Sequence, residues 1–232
     1  MTRILPFAFV LAAAVPAAGA ERRFSVTDFD RVHVDGPYQV TLLTGLGSAA
    51  RAEGPADALD RVSVDVQGGT LRVRRNRSAW GGYPGEPSRP VKIALTTRAV
   101  RAASVVGSGS LDIDRAKGLR VDLSVSGSGR LAVAAVDADN LVVGLLGGGR
   151  IALAGRTKQL KATVQGTGDL AAAKLGADNA QILADTAGTV SVGVARTVRL
   201  TALGAGDVEI IGEPSCTVDA QGAGNVRCGR GR

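Results

Sequence analysis

The amino-acid sequence predicts an all-β fold, a single-stranded right-handed parallel β-helix with about 18–20 residues per coil. Three observations carry that prediction. First, a small tripeptide built on Gly-x-Gly recurs seven times: Gly107-Ser-Gly109, Gly127-Ser-Gly129, Gly147-Gly-Gly149, Gly166-Thr-Gly168, Thr186-Ala-Gly188, Gly204-Ala-Gly206 and Gly222-Ala-Gly224. Their first residues lie 20, 20, 19, 20, 18 and 18 apart, and self-similarity at such a period marks a solenoid. Second, the residue four positions after each first glycine is apolar: Leu111, Leu131, Ile151, Leu170, Val190, Val208 and Val226. Third, the offsets of the other apolar columns are also even. The column two before each glycine reads Val105, Val125, Leu145, Val164, Ala184, Ala202 and Ala220.

Even spacing is the period of a strand with one buried face. Stacking each strand on its counterpart in the next coil lines a shared interior, and right-handed connections are the rule for parallel strands. The glycines mark corners, where the backbone needs positive φ or leaves no room for a Cβ.

Met1 to Ala20 reads as a cleaved secretory signal. Arg3 precedes an apolar run from Ile4 to Val15, and Ala18-Gly19-Ala20 supplies the small-residue cleavage site. The mature chain, 21–232, is expected to form one domain without a transmembrane segment, with 21–100 as irregular first coils and a cap, and 101–232 as regular repeats. Phe24 to Asp28, Phe29 to Asp35 and Tyr38 to Thr44 alternate like strands, with a Gly36-Pro37 turn between the last two. Pro55 to Asp60 suits one helical turn with proline at its start. Val62 to Val66 and Leu71 to Arg74 form a hairpin about Gly68-Gly69. A loop rich in turn formers runs from Arg75 to Pro90, and the strand Val91 to Leu95 leads into the repeats.

The two cysteines of an exported chain suggest a disulfide. Register supports it. Cys228 continues the inward column of Ile113 to Ile210, and Cys216 the inward column of Val121, Leu141, Leu160, Ala180 and Val198. Both thiols are expected to point into the core of the last coil. A crosslink there closes the solenoid's open end and adds roughly 2–4 kcal/mol by the loop-entropy estimate. The spacing fits no zinc pattern.

The formal charge is +7, or +6 once Arg3 leaves with the leader. Lys and Arg are scattered among acids and no nucleic-acid-binding motif accompanies them, so nucleic acid is not an expected partner. Asp112 with Asp114, and Asp137 with Asp139, are the paired carboxylates available to act as acid and base. The column of Asp112 continues through Ala132, Ala152, Ala171, Ser191, Glu209 and Arg227, which build no acidic cluster, and no aromatic residue follows Tyr83 to serve as a sugar platform. The position after each Gly-x-Gly includes Arg130 and Arg150, which would repel calcium. The single histidine, His33, falls outward on an early strand without a nucleophile elbow nearby. No catalytic residue, metal or cofactor is expected.

A surface remains. Ser104, Ser124, Gly144, Thr163, Leu183, Thr201 and Asp219 form an outward strip of mostly small residues. Beside it Val106, Leu146 and Leu203 are apolar where solvent is expected, which marks a candidate partner contact. Trp80 and Tyr83 in the long loop are candidate hot-spot residues.

Several stretches together resemble the bacterial head GIN domain, a family described as a "putative autotransporter adhesin head" and as an exported domain of unknown function. They are Phe29-Asp-Arg-Val-His-Val-Asp-Gly36, Tyr38-Gln-Val-Thr-Leu-Leu43, Leu71-Arg-Val73, the Gly-Ser-Gly corners and the closing Cys216 to Cys228-Gly229. The resemblance covers about residues 24–229 and implies an exported right-handed β-helix without catalytic residues to carry over. No translocating barrel is expected after Arg232. The functional expectation is a non-enzymatic, adhesin-like or envelope-scaffold module in the periplasm or at the cell surface. Its partner would be a glycan or protein of the envelope, with self-assembly into homo-oligomers a further option. The rival is a carbohydrate-active enzyme on the same scaffold.

Overall fold

The computed structural model describes residues 20–76 and 91–229. The predicted signal (apart from Ala20), Trp80 and Tyr83 lie outside the described residues. The chain forms a parallel β-solenoid of about six turns. Its regular part is made of long strands that run around corners: β9 (Ser110–Gly127), β10 (Arg130–Gly147), β11 (Arg150–Gly166), β12 (Asp169–Thr186) and β13 (Val190–Ala202), preceded by β8 (Ala102–Gly107).

Register matches the even-offset pattern. Leu111 pairs Leu131, Leu131 pairs Ile151, and the ladder continues through Leu170, Val190 and Val208 to Val226. Leu111, Leu131 and Ile151 are fully buried. Each side chain therefore packs on the same position of the neighbouring coil, about 4.8 Å away. One inward column is not visible from the glycine offsets. Ala116 pairs Val136 on a third side of the coil and the register continues through Gly155 to Leu175; Ala116, Val136 and Leu175 are buried. The period-two rule breaks just before it, with register shifts between Val133 and Val136, Ala152 and Ala154, and Ala172 and Ala177. A count that steps by two from the glycine loses its phase at each shift.

The corners divide their work between two glycine positions. Gly127 and Gly147 have φ of +111° and +108°, a region closed to most L residues. At the third position of the triplet the constraint is steric. A Cβ on Gly149 would lie 2.5 Å from the Gly129 carbonyl oxygen, and one on Gly206 1.9 Å from that of Gly188. Thr186 replaces glycine in one corner without positive φ. Its buried hydroxyl donates to the Gly168 carbonyl at 3.1 Å and accepts the Gly188 N–H at 2.9 Å.

Stacking order departs from chain order in the first third. The elements are β1 (Ala20–Phe24), β2 (Arg31–Asp35), β3 (Gln39–Thr44), β4 (Ala49–Gly54), α1 (Ala56–Asp60), β5 (Val62–Gln67), β6 (Thr70–Arg75) and β7 (Lys92–Thr97). β2 lies between β6 and β8, and β3 between β7 and β9, all parallel. The half-coil written first is thus enclosed by chain written later. Antiparallel strands then close this end: β4 on β7, β1 on β4, and β5 on β6. The expected hairpin at Gly68-Gly69 and the helical turn after Pro55 are both present. The strand expected over Phe24–Asp28 is displaced to Ala20–Phe24, where pairing with β4 fixes it. β4 was hidden by its short side chains, Ala49, Ala50 and Ala52.

The other end is open. β14 (Val208–Ile211) carries β16 (Val226–Cys228), and β13 carries β15 (Ser215–Ala220). Every residue of β15 is exposed, Cys216 included, and Val218 is 40% exposed. This corrects the expectation that both thiols enter a core. Cys216 does continue the Val198 column, but among the described residues no further coil covers it. The Cys216–Cys228 disulfide ties the two edge strands together, with Cα atoms 6.5 Å apart. Because neighbouring coils are coupled only to each other, its loss should act locally. Reduction removes roughly 2–4 kcal/mol of chain-entropy restraint from the last coil. Hydrogen exchange should accelerate across 215–228 while the amides of β10 keep their protection; uniform acceleration would contradict this.

Candidate functional site

Of the residues weighed for acid–base chemistry, Asp114, Asp137 and Asp139 are held for other purposes. Asp114 Oδ1 accepts hydrogen bonds from Thr44 N and Thr44 Oγ1 at 3.0 and 3.1 Å, joining two rungs. Asp137 faces Arg156 Nε at 3.0 Å and Lys117 Nζ at 3.5 Å. The hydrogen bond from Arg156, helped by Lys117, holds its carboxyl below the usual carboxylate value, so it stays ionised rather than storing a proton. Lys158 Nζ lies 2.8 Å from Asp139. Asp169 is lowered in the same sense, first by the Thr189 backbone N–H and then by Arg150. These are inter-rung ties along the outside of the coil, worth little singly in water. His33 is half-buried, with Nδ1 2.7 Å from Ser104 Oγ on the adjacent strand. Among the described residues no group of three or more His, Cys, Asp or Glu side chains could hold a metal ion.

The outward strip exists as a ladder: His33, Ser104, Ser124, Gly144, Thr163, Leu183 and Thr201 pair in sequence. At its first end it meets Arg31, Arg72 and Arg74 in a shallow depression of about 560 Å³. Val106, Leu146 and Leu203 are 36%, 55% and 42% exposed, as the alternation requires. They do not touch one another. Ser126 separates Val106 from Leu146, and Gln165 and Asp185 follow before Leu203. The three apolar residues are separate points along one edge of the strip rather than a patch.

A contiguous apolar feature lies elsewhere, just before the third side of the coil. Ala132, Ala152 and Ala171 pair in one outward column, with Ala134, Ala154 and Ala173 two residues further on. Together they floor a groove of about 680 Å³. Leu43, Asp112 and Asp114 stand toward one end, Lys174 and Ser191 toward the other. The register shifts lie along the same line. In the sequence the alanine column speaks only against an acidic site. The available signal was the recurrence of Ala-x-Ala at one phase of three consecutive repeats.

Comparison with known proteins gives the fold a family. A family model described as "Putative auto-transporter adhesin, head GIN domain" matches residues 28–214. The chain belongs to this family. The head GIN fold is shared with solved structures at low identity. A "putative adhesin" from Bacteroides fragilis superposes with a TM-score of 0.83 at 18% identity, over 90% of this chain and 96% of that one. A "Putative lipid binding protein" from Parabacteroides distasonis gives 0.71 at 19% identity, over 91% and 96%. A "putative adhesin" from Parabacteroides merdae gives 0.69 at 16% identity, over 91% and 96%. No curated protein matches the sequence. Among the described residues, no helix of this head GIN domain is long and apolar enough to cross a membrane.

Proposed function

We propose that this protein is an exported, non-catalytic interaction module of adhesin-like type, working on the cell envelope or surface. The observation that carries the reading is the outward ladder from His33 to Thr201, a straight strip of mostly small residues held on a rigid stack of coils. Such a strip offers equivalent weak contacts at fixed spacing, the arrangement from which avidity arises. Val106, Leu146 and Leu203 supply apolar points along its edge. The disulfide suits an oxidising compartment outside the cytoplasm. The partner is a glycan or protein of the envelope, or a second copy of the chain.

Among the carboxylates weighed, Asp137 is held ionised by Arg156 and Lys117, which argues against its use as the general acid of a polysaccharide-degrading enzyme, because a general acid needs a raised pKa. The test is retention of labelled protein on intact envelope fractions and on a glycan panel. Saturable retention, weakened in Leu146→Glu/Leu203→Glu with the melting curve unchanged, is the expected result. Turnover of a bound glycan, or retention indifferent to the double variant, would overturn it.

A further inference from the structure

We infer that the alanine-floored groove binds the hydrocarbon chain of a free, single-chain anionic amphiphile, with the headgroup at Lys174 and the methyl end toward Leu43. This goes beyond the adhesin-like reading and does not rest on it.

The occupant's shape follows from the groove. Thr41, Asp112, Ala132, Ala152, Ala171 and Ser191 pair in succession, so the groove runs along the solenoid axis, across the strands. The line spans five rung spacings, about 24 Å, and two outward positions along a strand make it about 7 Å wide. Its all-alanine middle, from Ala132 to Ala171, spans two spacings or about 10 Å, with Asp112 and Thr41 beyond it on one side and Ser191 on the other. A strip of that size covers far less than the roughly 800 Å² per partner that a stable protein interface buries, so a second copy does not fit the dimensions.

The occupant's polarity follows from the floor. Ala132, Ala152 and Ala171 each have a ladder partner on both sides, which spends their backbone groups within the sheet. Their side chains offer no donor or acceptor. A peptide laid across these three residues would leave its own N–H and C=O groups facing methyls without partners. A hydrocarbon has no such groups to satisfy, and it gains from contact with the alanine methyls.

Charge sets the direction. Asp112 and Asp114 flank the Leu43 end, while Lys174 stands at the far end on β12. Among the described residues no acid lies within salt-bridge distance of Lys174. Its ammonium, on a flexible apolar stem, is placed to meet an anionic head while the stem covers the chain. The net charge, +6 without the leader's Arg3, adds a general attraction for anions.

The test titrates the protein with cis-parinarate, a fluorescent long-chain carboxylate, below its micellar concentration. Saturable one-to-one enhancement is expected. Ala152→Glu, with Ala132→Glu as a second variant, should weaken binding about tenfold or more, because each buries a charge against hydrocarbon. Both positions face outward, so melting curves should not move. Lys174→Gln should weaken the carboxylate about threefold, the scale of an exposed ion pair, and leave the matching long-chain alcohol unchanged. Absence of saturation, or binding indifferent to both glutamates, would overturn the site. Equal loss of acid and alcohol in Lys174→Gln would overturn the orientation. Two further outcomes would also count against it: sedimentation with phosphatidylglycerol vesicles that Ala152→Glu abolishes, placing a bilayer there, or a shift in light-scattering mass in that variant with parinarate binding intact, placing a protein there.

Discussion

Gly149→Ala should lower the unfolding free energy by about 3 kcal/mol, the upper range for forcing extra atoms into a packed site. The added methyl would sit 2.5 Å from the Gly129 carbonyl oxygen and 2.7 Å from Val125 Cγ1. The carbonyl cannot withdraw, because the Gly129 oxygen accepts the Arg150 N–H at 2.9 Å in the contact that joins the two coils. Separating the rungs to make room would break that ladder on both sides of the corner. Gly47→Ala is the matched control. Gly47 lacks positive φ, and a Cβ there meets nothing within 4 Å, so its effect should stay within about 0.5 kcal/mol. Denaturant midpoints of the two variants against the parent decide the matter. Equal shifts would mean that the corners are not packed glycine on glycine.

Leu131→Ala should cost about 3 kcal/mol. Leu131 is fully buried between Leu111 and Ile151, and truncation leaves a cavity that two rigid coils cannot close. The position lies mid-stack, so the weakened rung divides the solenoid and the unfolding transition should broaden as well as shift. Leu119→Ala serves as contrast. Leu119 is 79% exposed, and its removal should leave the midpoint in place. Comparable losses at the two leucines would contradict the assignment of inside and outside.

The regular coils are legible in sequence because one physical rule covers them. A strand stacked in register repeats its buried position at a fixed distance from a corner, so Leu111, Leu131 and Ile151 can be read before any coordinates are known. The third side is less legible, since the shifts after Val133 and Ala152 insert residues that reset the alternation. The first third resists for a different reason. Nothing local in Arg31–Asp35 says that the strand will lie between β6 and β8, whose sequences come later. The same holds for the exposure of Cys216. Its column is set by its own register, while its burial depends on whether another coil follows.

The surface divides along similar lines. Exposure of Val106, Leu146 and Leu203 follows from alternation alone. Their isolation depends on which polar residues fill the rungs between them. The groove went unseen because alanine reads as neutral filler in a strand. Its apolar character appears only when six such positions are brought together by stacking and bent at the register shifts.

Stacking in register is the claim on which every face described above depends, and engineered disulfides test it directly. Ala132 and Ala152 are ladder neighbours, about 4.8 Å apart and within disulfide reach, whereas Ala132 and Ala171 are two rungs and about 9.6 Å apart. Under mild oxidation Ala132→Cys/Ala152→Cys should form its crosslink nearly quantitatively, seen by mass spectrometry of digested protein. Ala132→Cys/Ala171→Cys should stay reduced within the monomer. Crosslinking of the second pair in preference to the first would contradict the register and, with it, the solenoid.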